Sequence, residues 1–276
     1  MEQQKGQQKT QNNRVLSRKR RRRRRSVSVA LLTFLLAGVV WLIVVFLFRI
    51  DEIKVENSIT SVYTGNQIIA ASGLEKGKNI LSFKKSDISK RLIGQLPYLG
   101  RVDIERKLPG KVILKVSETT DYMGIPYRGG YLIVSNDMKI LADVYNAPAE
   151  VPMVYGLTPT SFIPGNPLTA EDPGSLEGLR AVLEQIDAYK WFDKISVINV
   201  RDKLDVSIVY DDRIFVRIGS IAKIDYKFEL FNETLRNQLN DDYTGNINLS
   251  TIKYVYATEG DMRFPAGFFD IGNAGS

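Results

Sequence analysis

VDIERKLPGKVILKVSE, residues 102–118, settles the first folded unit of this chain. Val102 and Ile104 alternate with Asp103 and Glu105, and Val112, Leu114 and Val116 recur at every second position. A period of two gives each run one apolar face, as in a half-buried strand. Between them, Leu108-Pro109-Gly110 predicts a type II turn, with Pro at the first central position and Gly supplying positive φ at the second. Upstream, Ile88, Leu92 and Leu96 repeat every four residues, with Ser86 as the expected cap and Pro97 as the stop. Further back, Thr64-Gly65-Asn66-Gln67 has the form of a capping box, Ile68, Ile69 and Ala71 supply an apolar face, and Gly73 closes the helix. Ile53-Lys54-Val55-Glu56 alternates as a strand. Residues 49–118 therefore read as strand, helix, helix, strand, strand: a three-stranded sheet with two helices on one face.

Ahead of this unit lies SVSVALLTFLLAGVVWLIVVFLF, residues 26–48, with no charged residue. As a helix it would extend roughly 34 Å, enough for a bilayer core of about 30 Å. It directly follows a basic block of Arg18, Lys19, Arg20, Arg21, Arg22, Arg23, Arg24 and Arg25. Such a block stays on the cytoplasmic side and attracts anionic lipid at about 1 kcal/mol per residue. A cleaved signal peptide would have a shorter apolar core, about 7–15 residues, and a small-residue exit. Here the run ends in Phe46-Leu47-Phe48-Arg49. The expectation is a basic cytoplasmic tail over 1–25, a single membrane helix over 26–48, and everything after Arg49 outside.

Residues 119–258 read as a second, strand-rich domain, mixed or antiparallel, with flanking helices. Gly129-Gly130 marks a hairpin and Asn136-Asp137 a second turn. The Pro- and Gly-rich stretch 148–174 reads as connecting loop. Asp172-Pro173 starts a helix whose Leu179, Val182, Leu183 and Ile186 share one face. Strands follow at Ile195–Val197, Leu204–Ile208 and Ile214–Ile218, then a helix bearing Phe228, Phe231, Leu235 and Leu239. Ile247–Leu249 and Ile252–Ala257 are the last strand signals, and 259–276 is expected to be a mobile tail. The fold class is α+β.

The formal charge of +7 divides unevenly. Residues 1–25 carry eleven Lys/Arg and one Glu, whereas 26–276 carry 27 Lys/Arg and 30 Asp/Glu. The large outer part has no basic footprint for nucleic acid. The chain has no Cys and no His. Disulfides, thiolate nucleophiles, Cys/His zinc sites and Ser-His-Asp catalysis are excluded, and no cofactor is expected. Two acidic pairs, Asp211/Asp212 and Asp241/Asp242, remain as candidates for carboxylate chemistry on wall glycans, which needs two groups about 5–9.5 Å apart. Each falls where a turn or helix end is expected.

The order of these features resembles the FtsQ/DivIB cell-division family with its POTRA domain, in the Gram-positive DivIB form. The likeness rests on Gly73-Leu74, Gly77, Asn79 and Val102…Arg106…Leu108-Pro109 in the first unit. Beyond it come Val151-Pro152…Gly156-Leu157, Val206…Asp212…Val216-Arg217-Ile218-Gly219, Lys227…Leu239 and Gly245…Ile247-Asn248-Leu249. One turn departs from the pattern: Ser135-Asn136-Asp137-Met138 lacks the expected Gly. The resemblance implies a non-enzymatic scaffold of the division septum that holds FtsL-like and DivIC/FtsB-like partners and thereby regulates septal peptidoglycan synthases. A POTRA-type chaperone or secretion module is the alternative.

Within this frame, Ile252, Lys253, Tyr254, Val255, Tyr256 and Ala257 form the candidate partner-binding site, an edge strand to which a partner adds its own strand. Tyrosine suits such a surface because it offers large area, few rotors and one polar tip. The edge at Ile53–Glu56 is a second candidate.

Overall fold

A computed structural model describes residues 31–44, 46–57, 62–251 and 254–271. Helix α1 covers 31–44. Strand β1 (Glu52–Asn57), helices α2 (Gly65–Ser72) and α3 (Lys85–Gln95), and strands β2 (Leu99–Lys107) and β3 (Lys111–Glu118) follow, in the expected order. These strands form a three-stranded sheet, β1-β3-β2. Next come β4 (Tyr122–Tyr127), β5 (Gly130–Ser135), β6 (Ile140–Val144), β7 (Met153–Tyr155), α4 (Pro173–Tyr189), β8 (Ile195–Asn199), β9 (Val206–Tyr210), β10 (Ile214–Gly219), α5 (Ile224–Asn237), β11 (Gly245–Asn248) and β12 (Tyr256–Glu259). They build a nine-stranded sheet in the order β12-β11-β10-β9-β8-β7-β4-β5-β6. Pairing is parallel at β10–β11, β7–β8 and β4–β7, and antiparallel elsewhere. The chain is α+β with mixed sheets.

Two compact units divide it. One holds the chain through Lys54 together with Gly73–Lys85 and Ile104–Leu114; the other holds Val55–Ser72, Ser86–Asp103 and everything from Lys115.

In the first unit, α1 bears large apolar side chains on all sides, with Phe34, Leu35 and Trp41 all exposed. Among the described residues no helix is long and apolar enough to cross a membrane. The basic block 18–25 and the first residues of the expected span, 26–30, lie outside the described residues. The chain leaving α1 is gripped by the loop after Gly73. Asn79 Nδ2 donates to the Val44 carbonyl at 3.1 Å. Ile80 N–H donates to Phe48 O, Ile50 N–H to Lys78 O and Gly77 N–H to Ile50 O, each at 2.8 Å.

The turn after β2 reaches the same place: Gly110 O accepts from Asp51 N–H at 2.8 Å and Glu52 N–H at 3.3 Å. This turn corrects the type II expectation. Leu108–Pro109 is cis, and Gly110 is not left-handed. Glycine is required there for a different reason, since a Cβ would fall 2.6 Å from the Arg49 carbonyl.

In the second unit the capping box forms as expected. Thr64 N–H donates to Gln67 Oε1 at 2.8 Å and Gln67 N–H donates to Thr64 Oγ1 at 3.4 Å; Gly73, which belongs to the first unit, takes φ 66. Helix α3 starts at Lys85, so Ser86 lies inside it and is not its cap. Ile88 and Leu92 are buried.

Asp172 caps α4, accepting from Gly174 and Ser175 N–H, with Pro173 at the first helical position. Leu179, Val182, Leu183 and Ile186 of α4 and Phe228 and Phe231 of α5 are buried in one core with the inner face of the large sheet. Each such side chain is worth about 1.5–3 kcal/mol on burial. One expectation fails in this domain. The stretch 148–174 contains a strand, β7, central in the sheet. In the Ser135–Met138 turn, the left-handed residue is Met138, at φ 63.

The segment after β12, expected to be mobile, is folded back through residue 271. Phe268 is buried with Val209 and Phe215 on the sheet face opposite the helices. Its carbonyl accepts from Asn199 Nδ2, and Arg201 pairs with Asp270 at 3.0 Å. Asn246 holds the start of the segment, donating to Asp261 O at 2.9 Å and accepting from Arg263 N–H at 2.7 Å. Residues 272–276 lie outside the described residues.

Candidate functional site

Strand β11 reaches its place because Ile247 and Leu249 are buried and the Leu249 N–H donates to Arg217 O at 2.8 Å. Its first residue must be glycine: Gly245 takes φ +152, and a Cβ there would sit 3.0 Å from Glu259 Cα. Strand β12 then pairs antiparallel, Gly245↔Glu259 through Asn248↔Tyr256. The four residues of β12 are all exposed.

The ladder fixes which backbone groups are available. Gly260 N–H donates to Thr244 O at 3.0 Å, one position beyond that ladder. Antiparallel bonding alternates, so residues 256 and 258 turn their N–H and C=O toward β11. Ala257 and Glu259 turn theirs to the open side. Among the described residues no strand lies beyond β12.

Side chains alternate as well. Val255 packs against the main core. Tyr254 and Tyr256 point the other way, 64 % and 57 % exposed, with ring centroids 6.4 Å apart. By register, Tyr256 shares the face of Thr258, Asn246 and Phe215. The Tyr254 carbonyl accepts from Thr251 Oγ1 at 3.2 Å, steadying the approach to the strand. Of the six residues expected at the site, Tyr254–Ala257 are therefore brought together at an open edge. The strand itself begins later than expected, at Tyr256, and runs to Glu259. Ile252 and Lys253 lie outside the described residues.

The acidic pairs are placed differently. Asp211 and Asp212 both take left-handed backbone in the β9–β10 turn. Asp211 accepts from Arg213 Nε at 2.9 Å and Lys194 Nζ at 3.1 Å. The Arg213 bond, followed by that from Lys194, holds its carboxyl below the usual carboxylate range. Asp241 and Asp242 are exposed at a turn.

The sequence marks Lys227 only as the start of a helical segment, and its burial was not foreseen. The side chain is 1 % exposed, and its ammonium donates to the carbonyls of Ile218 at 2.9 Å and Ser220 at 2.7 Å. Burial pushes its pKa below the ordinary lysine value. These two bonds tie α5 to the end of β10, the strand that carries β11. Its position four residues before Phe231, on the apolar face of the helix, was the available signal.

Comparison with known proteins matches residues 48–119 to the FtsQ-type POTRA domain. The chain is similar to the cell division protein FtsQ of Streptomyces collinus, 30 % identical over 126 residues, which is 45 % of this chain and 47 % of that protein. It is also similar to FtsQ of Streptomyces coelicolor, 29 % identical over 104 residues, 38 % of this chain and 39 % of the relative. FtsQ of Streptomyces venezuelae is 30 % identical over 105 residues, 38 % of each chain. The matches span about half the length of these curated relatives or less. The matched region carries the strand–helix–helix–strand–strand unit, so the chain is similar there to the FtsQ-type POTRA domain and, over part of its length, to three cell division proteins FtsQ.

Proposed function

We propose that this protein is a non-enzymatic, single-pass scaffold of the division machinery. Its N-terminus is cytoplasmic and its folded body lies outside the membrane, at the septum. The apolar run 26–48 is the anchor, and the basic block 18–25 holds its inner end against anionic lipid. The body binds FtsL-like and DivIC/FtsB-like partners, and through them regulates septal peptidoglycan synthases.

The observation that carries this reading is the open tyrosine edge of β12 in a chain with an FtsQ-type POTRA domain. A partner strand laid along β12 would meet the N–H and C=O of Ala257 and Glu259. Each such hydrogen bond is worth about 1 kcal/mol net. Tyr254 and Tyr256 would supply the side-chain contact. Enzymatic use of Asp211 is disfavoured because its carboxylate already serves the β9–β10 turn.

Depletion followed by microscopy tests the role: cells are expected to elongate without septa, and normal septation would overturn it. Protease added to intact wall-stripped cells tests the orientation. Cleavage beyond residue 50 before lysis is expected, whereas cleavage only after lysis would overturn it.

A further inference from the structure

The first compact unit has a chemistry of its own. Residues 49–118 carry thirteen Lys/Arg and eight Asp/Glu, whereas 119–276 carry 14 and 22. The excess concentrates in segments 49–54, 73–85 and 104–114, which hold nine Lys/Arg and four Asp/Glu. All three segments meet where the chain leaves α1. Loop 77–80 is bonded to Val44, Phe48 and Ile50, and Gly110 is bonded to Asp51 and Glu52. The third link closes the ring. Arg106 donates to the Phe83 carbonyl, and its guanidinium lies 4.3 Å from the Phe83 ring centroid.

The junction is thus a hydrogen-bonded collar rather than a free linker. Two leucines stand out of it, Leu81 at 49 % and Leu108 at 57 % exposure. Lys76, Lys84, Lys85 and Lys107 are exposed beside them. Just before the collar, the guanidinium of Arg49 sits 4.6 Å from the ring centroid of Phe46, so a charged head already lies at the end of the apolar helix.

We propose that this collar docks on the outer membrane surface. The lysines bind the phosphates of anionic lipid headgroups, and Leu81 and Leu108 enter the boundary between headgroups and acyl chains. Exposed leucines beside lysines fit that interface, where apolar burial and attraction to anionic lipid act together. The collar is also hydrogen-bonded to the end of the apolar run, from Asn79 to Val44 and from Ile80 to Phe48, which places it next to the segment that would be in the bilayer. The inference rests on the membrane-anchor reading above.

Because the chain has no cysteine, single spin labels report cleanly. The full chain is reconstituted in nanodiscs of phosphatidylcholine alone or mixed with phosphatidylglycerol. Labels are placed by Phe34→Cys, Leu81→Cys, Leu108→Cys and, as a distant control, Tyr145→Cys. Depth is read from relaxation by lipid-soluble oxygen against an aqueous nickel chelate. The label at 34 is expected in the acyl region in both discs. Labels at 81 and 108 are expected at headgroup depth only with phosphatidylglycerol, returning to water at about 1 M salt, where the screening length is about 3 Å.

In the triple variant Lys84→Glu, Lys85→Glu, Lys107→Glu, the docked-to-undocked ratio should fall about fivefold or more for each lysine replaced. A label at 34 in the acyl region with 81 and 108 equally wet in both discs overturns the docking and leaves the anchor standing. A wet label at 34 overturns the anchor and the docking together. The salt arm needs no substitution in the lysine ring, so misfolding of the triple variant does not shelter the proposal.

Discussion

The two ends of the nine-stranded sheet are treated differently. At one end, the loop that follows β7 returns to bond the start of β6, at Ile140, and Met138 just before it. Ile140 N–H donates to Asn166 O at 2.9 Å, Gly165 N–H donates to Ile140 O at 2.8 Å, and Leu168 N–H donates to Met138 O at 2.7 Å. At the other end, β12 offers the backbone of Ala257 and Glu259 to the open side, with two tyrosines beside it. An uncovered edge is an aggregation liability that folded proteins usually blunt. The difference, with the two tyrosines, supports the proposal that β12 is the partner edge.

The largest expected effect tests that asymmetry directly. Tyr254→Ala with Tyr256→Ala should weaken binding of the DivIC/FtsB-like outer segment by about 2–4 kcal/mol. Tyr145→Ala, at the far edge, should leave it within about 0.5 kcal/mol. Titration calorimetry with the full chain decides, and equal effects at both edges would erase the distinction.

A second change loosens the loop bonded to the start of β6. Gly165 takes φ +89, and a Cβ there would meet the Gly94 carbonyl at 2.9 Å. Gly165→Ala should cost about 1–3 kcal/mol of stability in denaturant unfolding. It should also raise self-association by light scattering, as the start of β6 is freed.

A smaller effect isolates the backbone. Ala257→Pro deletes one outward N–H while sparing the ladder to β11, since proline is tolerated on an edge strand. Partner binding should weaken by about 1 kcal/mol, with the thermal midpoint nearly unchanged.

The smallest concerns the anchor of the loop after β7. Asp172 ends that loop and caps α4, and the Ser175 hydroxyl and the amides of Gly174 and Ser175 hold its carboxyl below the ordinary value. A depressed folded pKa gives stability that is present above the unfolded value and is lost as pH falls through the folded one. Asp172→Asn should therefore lower the melting midpoint near neutral pH, and the gap to the parent should close in acid.

Local chemistry was legible wherever a signal was complete within a few residues. The capping box at Thr64–Gln67, the Asp172-Pro173 helix start and the Gly129-Gly130 hairpin are of this kind. The apolar faces of α4 and α5 were legible for the same reason, since four or more positions repeat. The misses share a cause in tertiary context. Strand β7 has only three residues, between Pro152 and Gly156, too few for a period of two to show. The turn after β2 is shaped by contact with Arg49 and Asp51, which lie some sixty residues away. The fold-back after β12 depends on Phe215 packing against Phe268 and on Asn199 donating to the Phe268 carbonyl, and a Gly-rich composition hid it. At the site itself, the aromatic residues were visible in the sequence. Which backbone groups face outward was not, because that depends on the register with β11.

The brevity of β7 has one further effect. It pairs with β8 at three positions and with β4 at Gly124↔Met153 alone. The sheet is therefore two antiparallel ribbons, β4–β6 and β8–β10, stitched by a narrow parallel seam. The two ribbons nonetheless bury one shared core, in which Ile125 and Leu132 of the first join Ile208 and Val216 of the second under α4 and α5, so side-chain packing carries the joint that the backbone ladder leaves narrow.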